Sequence, residues 1–260
     1  MKANDTRHQR NFLKTLDRGL RVLSAFTPET PALSLTALSK KLSLDPGTTF
    51  RFAYTLEHLG YLRRDPKTGA YSLTARVLEL ARAVHRQEDL RALAHPFMAA
   101  LSRETGETVS LAVRDGAEIV VLEQVQSPKP VTIRRALGDR QPIYCTAQGK
   151  VLLAYAPVSE QAQVLDKLKL KPHGPRTITD RAALEADLRR TLQRGYALNN
   201  DEMNAGLRAI AAPIYTAPEK VIAALSLDVP IGRMTLAELQ TRCAELVIGT
   251  AQEISQALGK

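Results

Sequence analysis

Cys145-Thr146-Ala147-Gln148 runs directly into Gly149-Lys150, and together they hold residue types that could act chemically. A cysteine is a nucleophile once its thiol is ionised, and a Gly-Lys pair can cradle phosphate. The phosphate reading fails on spacing. Val151 follows the lysine where Ser or Thr would hold magnesium, and Tyr144 occupies the position of the upstream glycine. Cys145 has no histidine near it in sequence, so a nucleophilic role would need His95 or His173 brought from elsewhere in the fold. Otherwise a lone cysteine is a small buried apolar side chain. The histidines (His8, His58, His85, His95, His173) and the cysteines (Cys145, Cys243) lack the close spacings of a zinc site, so neither metal nor cofactor is expected. If a strand meets a helix at Cys145–Gln148, the free amides of the first helical turn would favour an anion such as a carboxylate.

A second group is suited to nucleic acid. Thr48, Arg51, Tyr54 and Thr55 share one side of a helical period, and Arg63, Arg64 and Lys67 surround a turn just beyond it. Arginine pairs with guanine edges, while hydroxyl groups and lysine contact phosphate. The charge distribution agrees. Residues 1–86 carry 15 Lys and Arg against 7 Asp and Glu, whereas residues 87–260 carry 21 against 20. A basic module joined to a nearly neutral body gains salt-dependent affinity for a polyanion. Charge alone would also fit RNA or an anionic membrane.

The elements that must position these residues decide between the partners. Leu16, Leu20, Leu23 and Phe26 predict an amphipathic helix from residue 15 to about 26, ended by Thr27-Pro28. A proline-containing loop follows. Ser34 then caps a short helix bearing Leu35, Leu38 and Leu42, with Leu33 and Leu38 as its staple. Asp45-Pro46 starts a third helix that stops at Gly60. Its inner face is Thr49, Phe52, Ala53, Leu56 and Leu59; its outer face is Thr48, Arg51, Tyr54, Thr55 and His58. Pro66-Lys67-Thr68-Gly69 turns a hairpin between residues 61 and 73. Three helices followed by a hairpin make a winged helix-turn-helix, whose third helix enters the major groove of double-stranded DNA. Thr74 is expected to cap a linker helix to His85, with Val77, Leu78, Ala81 and Val84 on one face as a candidate dimer contact.

The residues resemble a known family. Leu35–Leu44, Thr48–Arg51, Leu56–Leu62 and the hairpin resemble the DNA-binding domain of the IclR family of bacterial regulators. Pro142–Ala154, Arg194-Gly195-Tyr196 and Gly206–Ile214 resemble signature segments of its effector domain. The likeness runs from about Leu16 to the final helix, departing at Gly47 and Thr49, where the family often has a hydroxyl and an aliphatic residue. It implies a C-terminal effector domain similar to GAF-type sensors. It also implies a pocket formed by Thr146, Ala147, Gln148, Asn199, Leu207, Ala209, Ser226 and Asp228, with Ile133 as an apolar wall. Arg134, Arg135 and Arg140 are candidate carboxylate partners, at least two of them with surface roles.

In the second half, period and turn signals predict a helix from Leu90 to Glu104 bent at Pro96, and strands at Thr108–Arg114, Glu118–Val125 and Val131–Leu137. Helices at Ala147–Ala156, Ser159–Leu168 and Asp180–Arg194 follow. Strands near Leu207–Ile214 and Val221–Val229 precede a last helix at Thr235–Leu258. The expected architecture is therefore an N-terminal all-α winged helix-turn-helix (residues 12–73), a linker helix (74–87) and a C-terminal α+β, GAF-like effector domain (88–260). No apolar run approaches the roughly 18 residues that span a bilayer, and the polar first ten residues lack a signal-peptide core, so a cytoplasmic protein is expected. The functional expectation is a homodimeric or tetrameric regulator, not an enzyme, whose binding to a DNA operator responds to a small organic acid. Two alternatives remain at this point: a sensor or enzyme acting through Cys145 and localised by the basic module, and a structural nucleoid protein.

Overall fold

The computed structural model describes residues 12–27, 29–82, 85–130, 133–217 and 220–259. The chain divides into two compact units, Met1–His85 and Arg86–Lys260.

In the first unit, α1 (Lys14–Leu23), α2 (Leu35–Leu42) and α3 (Pro46–His58) enclose a small core of Val22, Ala25, Phe26, Leu38, Leu42 and Ala53. Ser34 Oγ accepts from Ala37 N at 3.2 Å and Asp45 Oδ1 from Thr48 N at 2.8 Å, so both expected caps satisfy first-turn amides. Between α2 and α3, Ser43 takes the left-handed conformation (φ 54), which turns the chain sharply enough for two short helices to cross. The hairpin β2 (Leu62–Arg64) and β3 (Tyr71–Leu73) is joined by β1 (Ala32–Leu33), giving an antiparallel sheet in the order β1-β3-β2. The expected proline-containing loop therefore holds a strand too short to show a period.

Two expectations for this unit need correction. Leu16 and Leu20 are 60% and 54% exposed, because the core takes the Val22 side of α1. Apolar spacing shows which residues share a face, not what covers it. Leu59, expected inside, is 48% exposed at the C-cap of α3, where the chain leaves the helical period. Beyond the wing, Thr74 Oγ1 donates to Gly60 O at 2.5 Å and accepts from Arg76 N at 3.2 Å, fixing a turn before α4 (Val77–Arg82). Residues 83 and 84 lie outside the described residues, and with them the expected course of the linker helix between Arg82 and His85.

The second unit is a three-layer α+β body. Its antiparallel sheet has the order β6-β5-β4-β9-β8-β7. The strands are β4 (Thr108–Asp115), β5 (Glu118–Val125), β6 (Arg140–Pro142), β7 (Ala197–Asn200), β8 (Leu207–Ala217) and β9 (Lys220–Pro230). One face buries Leu111, Ile210, Leu225, Leu227 and Val229 against α5 (His85–Thr105) and α9 (Leu236–Leu258). α9 starts with a complete capping box between Thr235 and Glu238. The other face meets α6 (Ala147–Ala154) and α8 (Arg181–Arg194), with α7 (Val158–Lys167) between them in the chain.

Strand alternation explains why the second face can hold a site. Leu225, Leu227 and Val229 point to one side, so Ala224, Ser226 and Asp228 point to the other; Ile210 and Ala212 likewise leave Ala209 and Ala211 beside α6. One face is filled by large aliphatics and the other by small or polar groups. One strand expectation, Val131–Leu137, fails over residues 133–137, and residues 131 and 132 lie outside the described residues. Residues 133–139 form no strand, because Arg135 N donates to Gln124 Oε1 and Ala136 N to Asp139 Oδ2, side chains taking the amides a ladder would need. Pairing resumes only at β6. β7, four residues long, was not expected at all.

Candidate functional site

On α3, Thr49 and Ala53 are buried and Phe52 and Leu56 half-buried, so the helix is anchored along one side. Arg51, Tyr54, Thr55 and His58 are exposed, and Thr48 is half-buried beside them. Arg51 Nη2 reaches Thr48 Oγ1 at 3.5 Å, while the Thr55 hydroxyl donates back to Arg51 O at 2.8 Å and is engaged by the helix itself. At the wing, Arg63, Arg64 and Lys67 are exposed. Arg63 Nε donates to Ser72 Oγ at 3.0 Å, and the Arg64 guanidinium lies 5.8 Å from the centre of the Tyr71 ring. Asp65 Oδ1 accepts from Lys67 N and Thr68 N at 2.8 Å each, which shapes the turn carrying Lys67. Those same amide bonds hold the Asp65 carboxyl below the usual carboxylate range. Helix and wing thus present exposed cations on one compact unit.

In the second unit, a narrow cleft of about 10 Å³, room for about one water molecule, opens beside the start of α6. Thr146, Ala147 and Gln148 form its helical wall, and Asn199, Leu207, Ala209, Ser226 and Asp228 its sheet wall. Register explains the second set: Asn199 pairs with Ala209 and Ala209 with Asp228, so three strands bring these residues into one row. Ile133 is not part of the lining, whereas Arg135 and Gln141 are. The polar groups are held firmly. Thr146 Oγ1 caps α6 by accepting from Gly149 N at 3.1 Å, and Gln148 Nε2 donates to Ser110 O at 2.9 Å and Ala224 O at 3.3 Å. Asn199 Nδ2 donates to Cys145 O at 2.8 Å, and its Oδ1 accepts from Glu202 N at 3.0 Å. Asp228 Oδ2 accepts from Ser110 Oγ at 2.9 Å and Ser226 Oγ at 3.3 Å. Burial pushes its carboxyl above the usual range, opposed by the field of Arg135 and by the two serines.

A larger cavity, of about 340 Å³, lies at the other end of β9 among Arg114, Leu152, Tyr155, Glu160, Lys220 and Ile222. Arg114 and Glu160 pair with each other there, and the buried polar groups converge on the cleft instead. Size alone is therefore a poor guide to the site.

Models of known families match both units. The IclR helix-turn-helix domain matches residues 15–66, and the C-terminal domain of the bacterial transcriptional regulator IclR matches residues 81–256. This chain belongs to the IclR family of bacterial transcriptional regulators. The HTH-type transcriptional regulator XynR of Escherichia coli K12 is 32% identical over 248 residues, covering 95% of this chain and 98% of that protein. KdgR of the same organism is 35% identical over 227 residues, 87% and 86% of the two chains. A crystal structure of an IclR homologue from Microbacterium hydrocarbonoxydans, complexed with 4-hydroxybenzoate, superposes with a TM-score of 0.81 at 28% identity, covering 94% of this chain and 99% of that one.

In this IclR-family chain, reading the residues missed what lies behind the cleft wall. Lys150 is 1% exposed, and its Nζ donates to Asp187 Oδ2 at 2.8 Å and Glu202 Oε1 at 2.7 Å. A Gly-Lys step that looks like a phosphate loop is therefore an internal ion cluster. Burial alone would raise the Asp187 carboxyl, but Lys150, Arg194 and Arg190 together hold it down; burial raises Glu202 despite Lys150. Cys145 is fully buried with Sγ 3.4 Å from Met203 Sδ, and burial pushes its thiol up to about 12, far from a nucleophile's range. Of the three candidate arginines, Arg134 is exposed and Arg140 pairs with Asp115 and Glu118 at the surface, leaving Arg135 at the cleft. Among the described residues no group of His, Cys, Asp and Glu could hold a metal ion, and no helix is long and apolar enough to cross a membrane.

Proposed function

We propose that this regulator binds a DNA operator through Thr48, Arg51, Tyr54 and Thr55 of α3 and Arg63, Arg64 and Lys67 of the wing. In this reading residues 12–73 are the DNA-binding domain, 74–87 the linker and 88–260 the effector domain. A small organic acid widens and enters the cleft lined by Thr146, Ala147, Gln148, Asn199, Leu207, Ala209, Ser226 and Asp228 and shifts the population between DNA-competent and incompetent states. The protein acts in the cytoplasm without catalysing a reaction, as a homodimer or tetramer reading a palindromic site. The exposed leucines of α1 and α4, Leu16, Leu20, Leu78 and Leu80, offer apolar area for such pairing.

The observation that carries this reading is the convergence of buried, hydrogen-bonded polar groups on one cleft, in a chain whose other unit exposes a cationic recognition helix. That the Microbacterium relative is complexed with 4-hydroxybenzoate favours an acid as the ligand of this chain. The test is a gel shift with the DNA upstream of the protein's own gene, at two salt concentrations, with and without candidate acids. Sequence-preferring retardation that an acid alters is expected. Equal binding to unrelated DNA under all conditions sinks the proposal.

A further inference from the structure

Resting on the operator-binding reading above, we propose that Phe50, held by the ring of Tyr54, reads the 5-methyl group of a thymine in the operator.

α3 carries a feature that its cations do not explain. Phe50 is 43% exposed and Tyr54 58%, and neither belongs to the core beneath the helix. Four residues apart, their rings meet with centroids 6.0 Å apart and planes inclined at 33°. That separation is favourable for an aromatic pair, so each ring limits the rotamers of the other. A lone exposed apolar side chain is ordinary. A preformed pair on the helix that meets DNA is an apolar patch with a partner to serve.

The surroundings select which feature of DNA it fits. Gly47, Phe50, Arg51 and Tyr54 are spaced by three and four residues, so they form one continuous area of helix surface. Arg51 and Thr48 place charge and hydroxyl beside it. In the major groove every base edge offers hydrogen-bond donors or acceptors, and thymine alone adds a methyl group, whose match is an apolar side chain. A ring laid on a donor or acceptor would strip its water without replacing the bond, whereas a ring laid on the methyl loses no such bond. Position along the helix agrees. The N-terminal residues of a recognition helix reach base edges, and Phe50 is the fifth residue of α3, directly before Arg51.

Gly47 keeps the approach open. It is the second residue of α3, inside a helix where glycine is less stable than alanine. Its φ is not positive, and a Cβ there would meet Asp45 Oδ1 at 3.4 Å, an ordinary contact. Neither backbone conformation nor packing therefore requires glycine at this position. What it supplies is room, because no side chain stands beside Phe50 and Arg51 at the end of the helix that enters the groove.

Uracil substitution tests the proposal. Sites are first selected from random duplexes by the full native chain. Each thymine of the selected site is then replaced singly by deoxyuridine, which removes the methyl group and leaves the pairing edge unchanged. In competition binding the native chain should lose about fourfold in affinity at one or more positions, the worth of one buried methyl group. Phe50→Ala should bind the thymine and uracil duplexes alike at that position, and Phe50→Leu, still apolar, should retain part of the preference. Melting and sedimentation of Phe50→Ala should stay native, since the ring lies outside the core; Phe50→Gln replaces it if the alanine variant misfolds. Misfolding of both, or a change of oligomeric state accompanying loss of the preference, would make Phe50 a packing residue and overturn the proposal. So would a methyl preference that survives loss of the ring, or selective binding in which no uracil change matters, and either result spares the operator reading. Failure of the native chain to select any sequence counts against both.

Discussion

Arg51 stands on the exposed side of α3 with only a long contact to Thr48 Oγ1, so its guanidinium is free to turn toward a base edge. Arg51→Ala should cost about 1–3 kcal/mol of operator affinity and relax preference at one base position. Lys67→Ala on the wing should weaken binding to all sequences alike and lower the salt slope by about one. Competition binding at several salt concentrations separates the two, and identical effects would contradict the assignment of α3 to base reading. Asp228 makes a different prediction. Its folded pKa is raised by burial above the ordinary value of 3.8, so the folded state holds this proton more tightly than the unfolded chain. Its contribution to stability is greatest at low pH and falls as pH rises above 3.8 toward the folded value. The melting temperature of Asp228→Asn relative to the native protein should therefore climb through that window and then level off. A constant difference across pH would refute it.

α6 is the element on which the cleft depends, and Gly149 is why it can lie where it does. A Cβ at Gly149 would sit 2.1 Å from Ile143 O, a backbone atom with no room to give. Gly149→Ala should destabilise the second unit by about 3 kcal/mol or more through overpacking, measured as a lower denaturation midpoint, while the DNA-binding unit keeps its fold. An unchanged midpoint would mean that α6 is free to shift. These elements were unevenly legible in sequence. α2 and α3 were readable from their caps, Ser34 and Asp45, because capping is local chemistry, whereas α6, α8 and α9 were read from their period and their caps, Thr146, Asp180 and Thr235, emerge in the structure. β1 and β7 were not, since two and four residues show no period and their pairing is set by distant partners. The segment Val131–Leu137 looked like a strand because Val131, Ile133 and Leu137 fall at even spacing, but Gln124 and Asp139 take the amides of Arg135 and Ala136. The cleft residues were named through resemblance. Arg135, Ser110 and Gln124, joined by hydrogen bonds from Arg135 N to Gln124 Oε1 and from Gln124 Nε2 to Ser110 Oγ, were missed as a connected group because strand register alone brings them together, and register is not written in any one segment.

At the scale of the whole chain, charge and burial divide the work. The basic residues of the first 86 positions favour long-range attraction to DNA, and the nearly neutral remainder holds ion clusters around buried groups, Lys150 with Asp187 and Glu202, and Glu107 with Lys129 and Arg233. Operator affinity should thus fall steeply with added salt, whereas affinity for an acid in the enclosed cleft should vary far less. Comparable salt slopes for both ligands would argue against this division. Both cysteines of the chain, Cys145 and Cys243, are buried, and burial raises both thiols. The native molecule should consequently react only slowly with maleimides and mild peroxide. A single cysteine engineered at the wing tip would accept a fluorophore without background, turning DNA engagement into an optical signal in a protein whose natural thiols stay silent until it unfolds.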